Sequence, residues 1–264
     1  MIVIADDITG AAEMAGIAHL HGYPVRLVCW GNSGCDLSAA NETTITVIAT
    51  DTRSMTEAEA IAETQHIATS LLTPPTPYLI YKKTDSALRG HVVAELVPLM
   101  KAIGMTRAVY LPANPSKGRI IKGGAYYING TPIDQTDFSF DPEFPAKTAL
   151  LRERFPDAEA NGILMPDAES MEDIQAVVKK YDDGHTLFAG AADLFMAILE
   201  AKEGRVAKEG RASRATRVST LFLCGSTQSK PLDIGIPVCP MPRDIYDGSK
   251  DIKGWLADAA ATYE

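Results

Sequence analysis

The sequence predicts an α/β protein, built on an open and mostly parallel β-sheet with helices on both faces. Short apolar runs alternate with longer segments of helical spacing through most of the 264 residues. The apolar runs are nearly continuous in Val, Ile and Leu, which is typical of strands buried on both faces. Strand–helix alternation of this kind indicates parallel strands joined by helical crossovers.

The first part of the chain contains five predicted strands and three predicted helices. The strands are IVIA (2–5), VRLVCW (25–30), TITVIAT (44–50), YLIY (78–81) and AVYL (108–111). The helices cover 10–22, 56–72 and 91–104. Two of these helical segments finish on Gly, as helix C-termini often do.

The segment KGGAYYINGTPI (122–133) interrupts this alternation and predicts a β-hairpin. Asn-Gly between segments of alternating polarity is a strong signal for a tight hairpin turn. The alternation then resumes with predicted helices at 146–155, 171–181 and 191–201 and predicted strands at 162–168 and 186–190.

Residues 202–219 divide the chain. They are polar, contain Gly and have almost no large apolar side chains, which favours a solvated linker over an anion-binding arm. We therefore predict an α/β domain at 1–201 and the start of a second domain at 220–264. That second segment is too short for a doubly wound domain of its own.

The composition and charge exclude several classes of function. The formal net charge of −9 supports no general nucleic-acid or anionic-membrane role. The four cysteines form no Cys-x-x-Cys pair and have no His at zinc-finger spacing, so no metal site is expected. No secretory signal and no apolar run of ~20 residues are found, and we expect a cytoplasmic protein. The formation of a homo-oligomer is left open.

Charged residues of both signs follow four of the predicted strands. Ligands bind beyond the carboxyl ends of the strands in an open parallel sheet, so these loops are expected to meet at one site. In strand order the polar residues are Asp6, Asp7 and Thr9; Asp51, Thr52, Arg53 and Ser54; Lys82, Lys83, Thr84, Asp85, Ser86 and Arg89; and Asn114, Ser116, Lys117 and Arg119.

The adjacent carboxylates Asp6 and Asp7 indicate that this site contains a group that binds them. Two neighbouring charges of the same sign repel, and burying either one without a partner costs free energy. A helix cap needs only one Asp. A cation, a substrate hydroxyl or a nearby Lys or Arg is therefore expected beside the pair.

The residue types in these loops suit a small polyhydroxy acid. Arg53 and Arg89 can grip a carboxylate through paired hydrogen bonds, and Lys83 can add a point charge. Asp7 and Asp85 can accept hydrogen bonds from hydroxyl groups, and one of them can act as a general base.

Structural interpretations remain open for the same residues. Asp7 can serve only as a helix cap, Ser86 can do the same, and Arg89 can pair with Asp85 as a structural link. Two further cations are expected to be solvated surface charges: Lys82 and Arg119. The sequence contains no G-x-x-x-x-G-K-[ST] or G-x-G-x-x-G phosphate loop and no G-x-S-x-G elbow.

Four segments resemble the N-terminal domain of the four-carbon acid sugar kinases, a family formerly described as a domain of unknown function or as type III effector Hrp-dependent proteins. They are IADDITGAAEMA, ATDTRSMTEAEA, YKKTDSALRGHVVAEL and PANPSKGRIIKGGAYYINGTPI followed by TDFSFDP. FAGAADLFMAIL also resembles the segment that closes that domain, so the resemblance extends from residue 1 to about 200.

The resemblance implies a function and a set of site residues. Family members use ATP with Mg to phosphorylate a hydroxyl of acids such as threonate and erythronate. Their N-terminal domain holds the acid and their C-terminal domain holds most of the nucleotide. The resemblance implies catalysis by Asp7 and acid binding by Asp6, Asp7, Arg53, Lys83, Thr84, Asp85, Ser86 and Arg89.

The segment LCGSTQS resembles the first strand and turn of the nucleotide domain, which implies an ATP contact at Ser226. Little of that domain follows the turn in this sequence. We therefore expect phosphoryl transfer to need a separate nucleotide-binding chain.

Two other functions are left open. A non-catalytic sensor or regulatory protein for a small sugar acid would use the same loops, and the sequence does not separate it from a kinase substrate domain. A phospho-acceptor receiver domain also has paired acids after its first strand and an Asp after its third. It is disfavoured, because it leaves Arg53, Arg89 and the hairpin without a role.

Overall fold

The computed structural model describes residues 1–31, 43–71, 79–203 and 255. The chain divides into two compact units, Met1–Ser213 and Arg214–Glu264, and the fold described below belongs to the first. Except for residues 202, 203 and 255, the predicted linker and the predicted second domain, with Ser226, lie outside the described residues. None of the described helices has the length and apolar character needed to cross a bilayer.

A seven-stranded parallel sheet forms the centre of this unit and confirms the predicted fold class. Its first five strands are β1 (Ile2–Ala5), β2 (Val25–Cys29), β3 (Ile45–Ala49), β4 (Ile80–Lys83) and β5 (Arg107–Leu111). Three strands that follow in the chain form a separate small sheet. The last two strands of the central sheet are β9 (Ile163–Leu164) and β10 (Thr186–Gly190). The spatial order is β2-β3-β1-β4-β10-β5-β9, with every neighbouring pair parallel.

Helices cover both faces of this sheet. They are α1 (Ile8–Leu20), α2 (Glu57–Leu71), α3 (Val92–Ala102), α4 (Leu151–Arg154), α5 (Met171–Tyr181) and α6 (Ala192–Glu203). In β4, Tyr81 contacts Phe195 of α6, whereas the next residue, Lys82, reaches Glu95 of α3. Because successive strand residues point to opposite faces, α3 and α6 lie on opposite sides of the sheet. Helix α2 packs beside α3, and α1 and α5 pack beside α6.

The predicted hairpin is part of a small antiparallel sheet of three strands. These are β6 (Arg119–Lys122), β7 (Ala125–Ile128) and β8 (Thr131–Pro132). The predicted Asn129–Gly130 turn joins β7 to β8, and its φ values of 50° and 82° are those of a type I′ turn. Gly123–Gly124 forms a second turn of this kind between β6 and β7.

Two predicted elements have different bounds in the structure. The fourth strand begins and ends later than predicted, so Lys82 and Lys83 lie inside β4 rather than in the loop after it. The predicted helix at 146–155 shortens to α4, because Ala149 and Leu151 are held by backbone hydrogen bonds to the small sheet. Tertiary pairing here outweighs the local helical pattern.

The order of the strands determines which loops meet. Strand β1 lies between β3 and β4, and Ala5 at its end is paired with Ala49 of one neighbour and Lys83 of the other. The residues that follow these three strands therefore leave the sheet side by side at its carboxyl edge.

Candidate functional site

The loops after β1, β3 and β4 bring their charged side chains together. Arg53, in the 3₁₀ turn Thr52–Ser54, places Nη2 2.7 Å from Asp7 Oδ2 and Nη1 3.3 Å from Asp85 Oδ1. One guanidinium group therefore bridges carboxylates from two other loops. We use the term carboxyl-edge cluster for Asp6, Asp7, Arg53, Lys83, Asp85 and Arg89.

Asp7 has two partners, one structural and one in the cluster. Its backbone is extended, and its Oδ1 accepts a hydrogen bond of 2.7 Å from the Gly10 N–H at the start of α1. Its other oxygen pairs with Arg53. A Cβ at position 10 would lie 2.8 Å from Asp7 Oδ1 and 3.2 Å from Lys83 Nζ, so a larger residue here would have to displace the Asp7 or Lys83 side chain.

Asp6 lies deeper, with 2% of its surface exposed. Its Oδ2 accepts from the Asp85 N–H at 3.2 Å, and its backbone oxygen accepts from the Arg53 N–H at 3.2 Å. Its Oδ1 has no hydrogen-bond partner among the described residues. Burial raises the pKa of Asp6 to about 6, against the opposing charge of Lys82. The two adjacent acids are therefore in different electrostatic environments.

Asp85 organises the loop that follows β4. Its Oδ2 accepts from the Ala87 N–H at 2.9 Å and from Arg89 Nε at 3.0 Å, and its Oδ1 accepts from Arg89 Nη2 at 2.9 Å. Burial pushes the pKa of Asp85 upward, but the hydrogen bonds and charge of Arg89, with Arg53 and the Ala87 amide, outweigh it and lower the pKa. The structural link between Arg89 and Asp85, which the sequence left open, is present.

The same loop has a strained backbone that is held from outside. Leu88 is buried at φ 64°, a conformation that is unusual for a bulky residue. Arg154 donates to the Leu88 carbonyl from Nη2 at 2.9 Å, and the Tyr126 hydroxyl donates to the Ser86 carbonyl. Sequence reasoning missed Arg154 and Tyr126, because they lie 66 and 40 residues away from their partners and no local pattern marks them.

Lys83, Thr84 and Ser86 complete the predicted set. Lys83 Nζ donates to the Thr84 carbonyl at 2.9 Å and lies 3.6 Å from Glu13 Oε2. Thr84 is buried, and its hydroxyl has no partner among the described residues. Ser86 accepts from Arg119 and does not cap a helix, since α3 begins only at Val92.

Lys82 and Arg119, the two cations expected to be solvated, both lie against other side chains. Lys82 is 1% exposed, because its side chain points from β4 towards α3, where Nζ lies 2.6 Å from Glu95 Oε2. Arg119 is half-buried, donates to Ser86 and lies over the Phe138 ring. Both predictions were wrong because each side chain finds a partner that lies far away in the sequence.

The cluster retains capacity for a further anion. A guanidinium group carries five N–H donors in a planar fork. The Arg53 side chain is 24% exposed and the Arg89 side chain 31%, while their ion pairs involve only some of these donors. A carboxylate can therefore approach either arginine while the ion pairs remain intact.

ATP with Mg is the cofactor that the family resemblance implies. Among residues 1–31, 43–71, 79–203 and 255, no three His, Cys, Asp or Glu side chains are grouped so as to hold a metal ion. Ser226, the predicted ATP contact, lies outside these ranges.

A family model described as "Sugar-binding N-terminal domain" matches residues 1–157. The matched region contains the whole carboxyl-edge cluster. It also contains the three-stranded sheet.

Curated relatives match more than half of the chain. A D-threonate kinase of Salmonella typhimurium is 32% identical over 155 residues, which are 58% of this chain and 35% of the relative. A D-erythronate kinase of Heliobacterium modesticaldum is 30% identical over 152 residues, 57% of this chain and 34% of the relative. The matches thus span about a third of the length of these relatives.

Solved structures share the fold. A domain of unknown function from Bordetella bronchiseptica, solved with bound citrate as a domain-swapped dimer, superposes with a TM-score of 0.68 at 22% identity, over 78% of this chain and 58% of that one. A Haemophilus influenzae protein superposes with a TM-score of 0.66 at 19% identity, over 77% and 56%.

The family match covers more than half of the chain, and it includes the loops that carry the cluster. The relatives named above are kinases of four-carbon acids. The chain therefore belongs to the four-carbon acid sugar kinase family, through its sugar-binding N-terminal domain.

Proposed function

We propose that the α/β domain predicted at 1–201 is the substrate domain of a four-carbon acid sugar kinase and binds a threonate- or erythronate-like acid at the carboxyl-edge cluster. The observation that carries this proposal is the bridge from Arg53 to Asp7 and Asp85. It joins loops from three neighbouring strands and leaves cationic donors partly exposed. The names of the curated relatives support the class of substrate.

The cations receive the acid group. Arg53 and Arg89 offer the guanidinium donors that their ion pairs leave free, and a planar fork matches the two oxygens of a carboxylate. Lys83 adds a buried positive charge beside them. Thr84 and Ser86 follow it in the chain and contribute hydroxyl groups to the same loop.

The carboxylates receive the hydroxyl groups. Each carboxylate oxygen has two lone pairs, so Asp7 can accept a further hydrogen bond beside those from Gly10 and Arg53. In the proposed reaction Asp7 takes the proton of the hydroxyl that is phosphorylated, a role that requires hydrogen-bond reach. Asp6 and Asp85 shape the site behind it.

ATP with Mg is proposed to come from a separate nucleotide-binding part. Phosphoryl transfer depends on positioning the nucleotide and on stabilising charge around the transferred group. The described residues show neither a metal-binding group nor a resemblance to a phosphate loop. Ser226 is proposed to belong to the nucleotide-binding surface.

Isothermal titration of the full chain with D-threonate, D-erythronate and their enantiomers tests the proposal. We expect at least one acid to bind. Arg53→Lys should weaken that binding about 10- to 100-fold, because the paired hydrogen bonds are lost while the charge remains. The matched control is Arg107→Lys at the opposite edge of the sheet, which should bind as the wild type does.

Two results would contradict the proposal. One is that none of the acids binds to the wild-type chain. The other is that Arg53→Lys and Arg107→Lys bind the acid equally well, which would place the acid away from the carboxyl-edge cluster.

A further inference from the structure

A buried ion pair lies directly beneath the carboxyl-edge cluster. Lys82 and Glu95 are 1% and 2% exposed, and Lys82 Nζ lies 2.6 Å from Glu95 Oε2. Lys82 sits in β4, in register with Ile4 of β1 on one side and Ala189 of β10 on the other. The pair therefore joins the centre of the sheet to α3.

Stability alone is a weak reason for such a pair. Removing two charges from water costs several kcal/mol per ion, and well-packed apolar residues of similar volume are often as stable or more stable. Removing only one partner is far more damaging, because a buried charge is left unpaired. A role other than stability is therefore expected for Lys82 and Glu95, and their other contacts indicate what it is.

Glu95 reaches the turn that carries Arg53. The Thr52 hydroxyl, fully buried, donates to Glu95 Oε2 at 2.9 Å. Lys82 and Thr52 thus share one carboxylate oxygen, and Arg53 is the next residue in the chain. The turn begins after Asp51, which has φ 58°, so its backbone needs support from its surroundings.

The charges of the ion pair also act on Asp6. Burial has the largest effect on the pKa of Asp6, the charges of Lys82 and Lys83 lower that pKa, and those of Glu95 and Asp7 raise it. Asp6 in turn accepts the Arg53 N–H through its backbone oxygen at 3.2 Å. The turn is therefore held at Thr52 by Glu95 and Thr50, and at Arg53 by the Asp6 backbone.

We propose that Lys82, Glu95 and Thr52 are positioning residues, which hold the Thr52–Ser54 turn so that Arg53 points at Asp7 and Asp85. This inference rests on the proposed function for its effect on acid binding. Lys82 holds the Glu95 carboxylate in place, and Glu95 fixes the Thr52 hydroxyl. None of the three needs to touch the acid.

The first test uses Thr52→Val, which removes the hydroxyl and keeps the shape of the side chain. We expect the affinity for the bound acid to fall about 3- to 10-fold, because the hydrogen bonds of this hydroxyl to Glu95 and Thr50 are lost. Thr52→Ser restores the hydroxyl and should restore the affinity. The matched control is Thr46→Val, a buried threonine of β3 whose hydroxyl has no partner among the described residues.

The second test separates positioning from stability. The double variant Lys82→Met/Glu95→Leu replaces the ion pair by apolar side chains, and we expect its melting temperature to equal or exceed that of the wild type. Its affinity for the acid should nevertheless fall about 10-fold. If affinity is unchanged while the double variant is folded, the inference is overturned.

An NMR measurement on the protein without bound acid tests this inference independently of the proposed function. The NMR signal of the Arg53 Nε–H group reports how the guanidinium is held. We expect it to shift or exchange faster in Thr52→Val and in the double variant, and to stay unchanged in Thr46→Val. If the wild type binds no acid, the proposed function fails, and this signal still decides the inference. An unchanged Arg53 signal in both variants would overturn it.

Discussion

Charged side chains are buried at one edge of the parallel sheet and exposed at the other. At the carboxyl edge, Asp6, Asp7, Lys83 and Asp85 are each at least nine-tenths buried, and Arg53 links Asp7 to Asp85. At the amino edge, Arg107 at the start of β5 pairs with Asp183, and the side chains are 38% and 40% exposed. Water screens the second pair, whereas the first group depends on fixed partners.

Proximity of charges alone does not make a site. The carboxyl edge contains two acids whose pKa values move in opposite directions, with Asp6 raised to about 6 and Asp85 lowered. Burial dominates for Asp6, while the arginines outweigh burial for Asp85. Divergent pKa values within one cluster are common at functional sites.

The largest expected difference between the edges follows from Asp85→Ala. This change leaves two half-buried arginines without their shared carboxylate and removes the acceptor of the Ala87 amide. We expect the free energy of unfolding to fall by about 3–5 kcal/mol, measured by urea denaturation. Asp183→Ala is the control at the amino edge and should cost far less. Equal losses would show that burial does not distinguish the edges.

The next expected effect is a pH dependence caused by Asp6. An unfolded Asp has a pKa near 3.9, so between about pH 4 and pH 6 the folded chain binds this proton more tightly. The contribution of Asp6 to the free energy of unfolding therefore falls as pH rises through this window and stays low above it.

Asp6→Asn removes that contribution. Relative to the wild type, the variant should gain about 2–3 kcal/mol of stability between pH 4 and pH 7, since one pKa unit corresponds to about 1.4 kcal/mol. Urea denaturation of both proteins across this range gives the difference. Parallel stability curves would show that the pKa of Asp6 is not raised on folding.

The smallest expected effect is that of Arg107→Gln at the amino edge. The pair with Asp183 is exposed, so the loss of stability should be well below that of Asp85→Ala and should shrink as salt is added. Thermal denaturation at low and high salt measures it. A large loss that does not respond to salt would remove the contrast between the edges.

Much of the fold was predictable from local patterns. The strands of the central sheet appear as short runs of β-branched and other apolar residues, and α5 has the predicted bounds, Met171–Tyr181. The Asn129–Gly130 turn was predictable because few residues adopt positive φ at both central positions. The shortened helix α4 was not, because its preceding residues bond to a sheet formed elsewhere in the chain.

Local patterns along the chain were enough to predict the fold class and the residues that follow each strand. These depend on side-chain periodicity and on residues adjacent in the chain, such as Asp7 capping α1. The burial of Lys82 against Glu95 and the bridge from Arg53 to Asp7 and Asp85 depend on how the strands and helices pack together. The physical reason is that the partner of a strand residue depends on the order of the strands and on the helix packed above it. Residues adjacent in the sequence do not reveal either one.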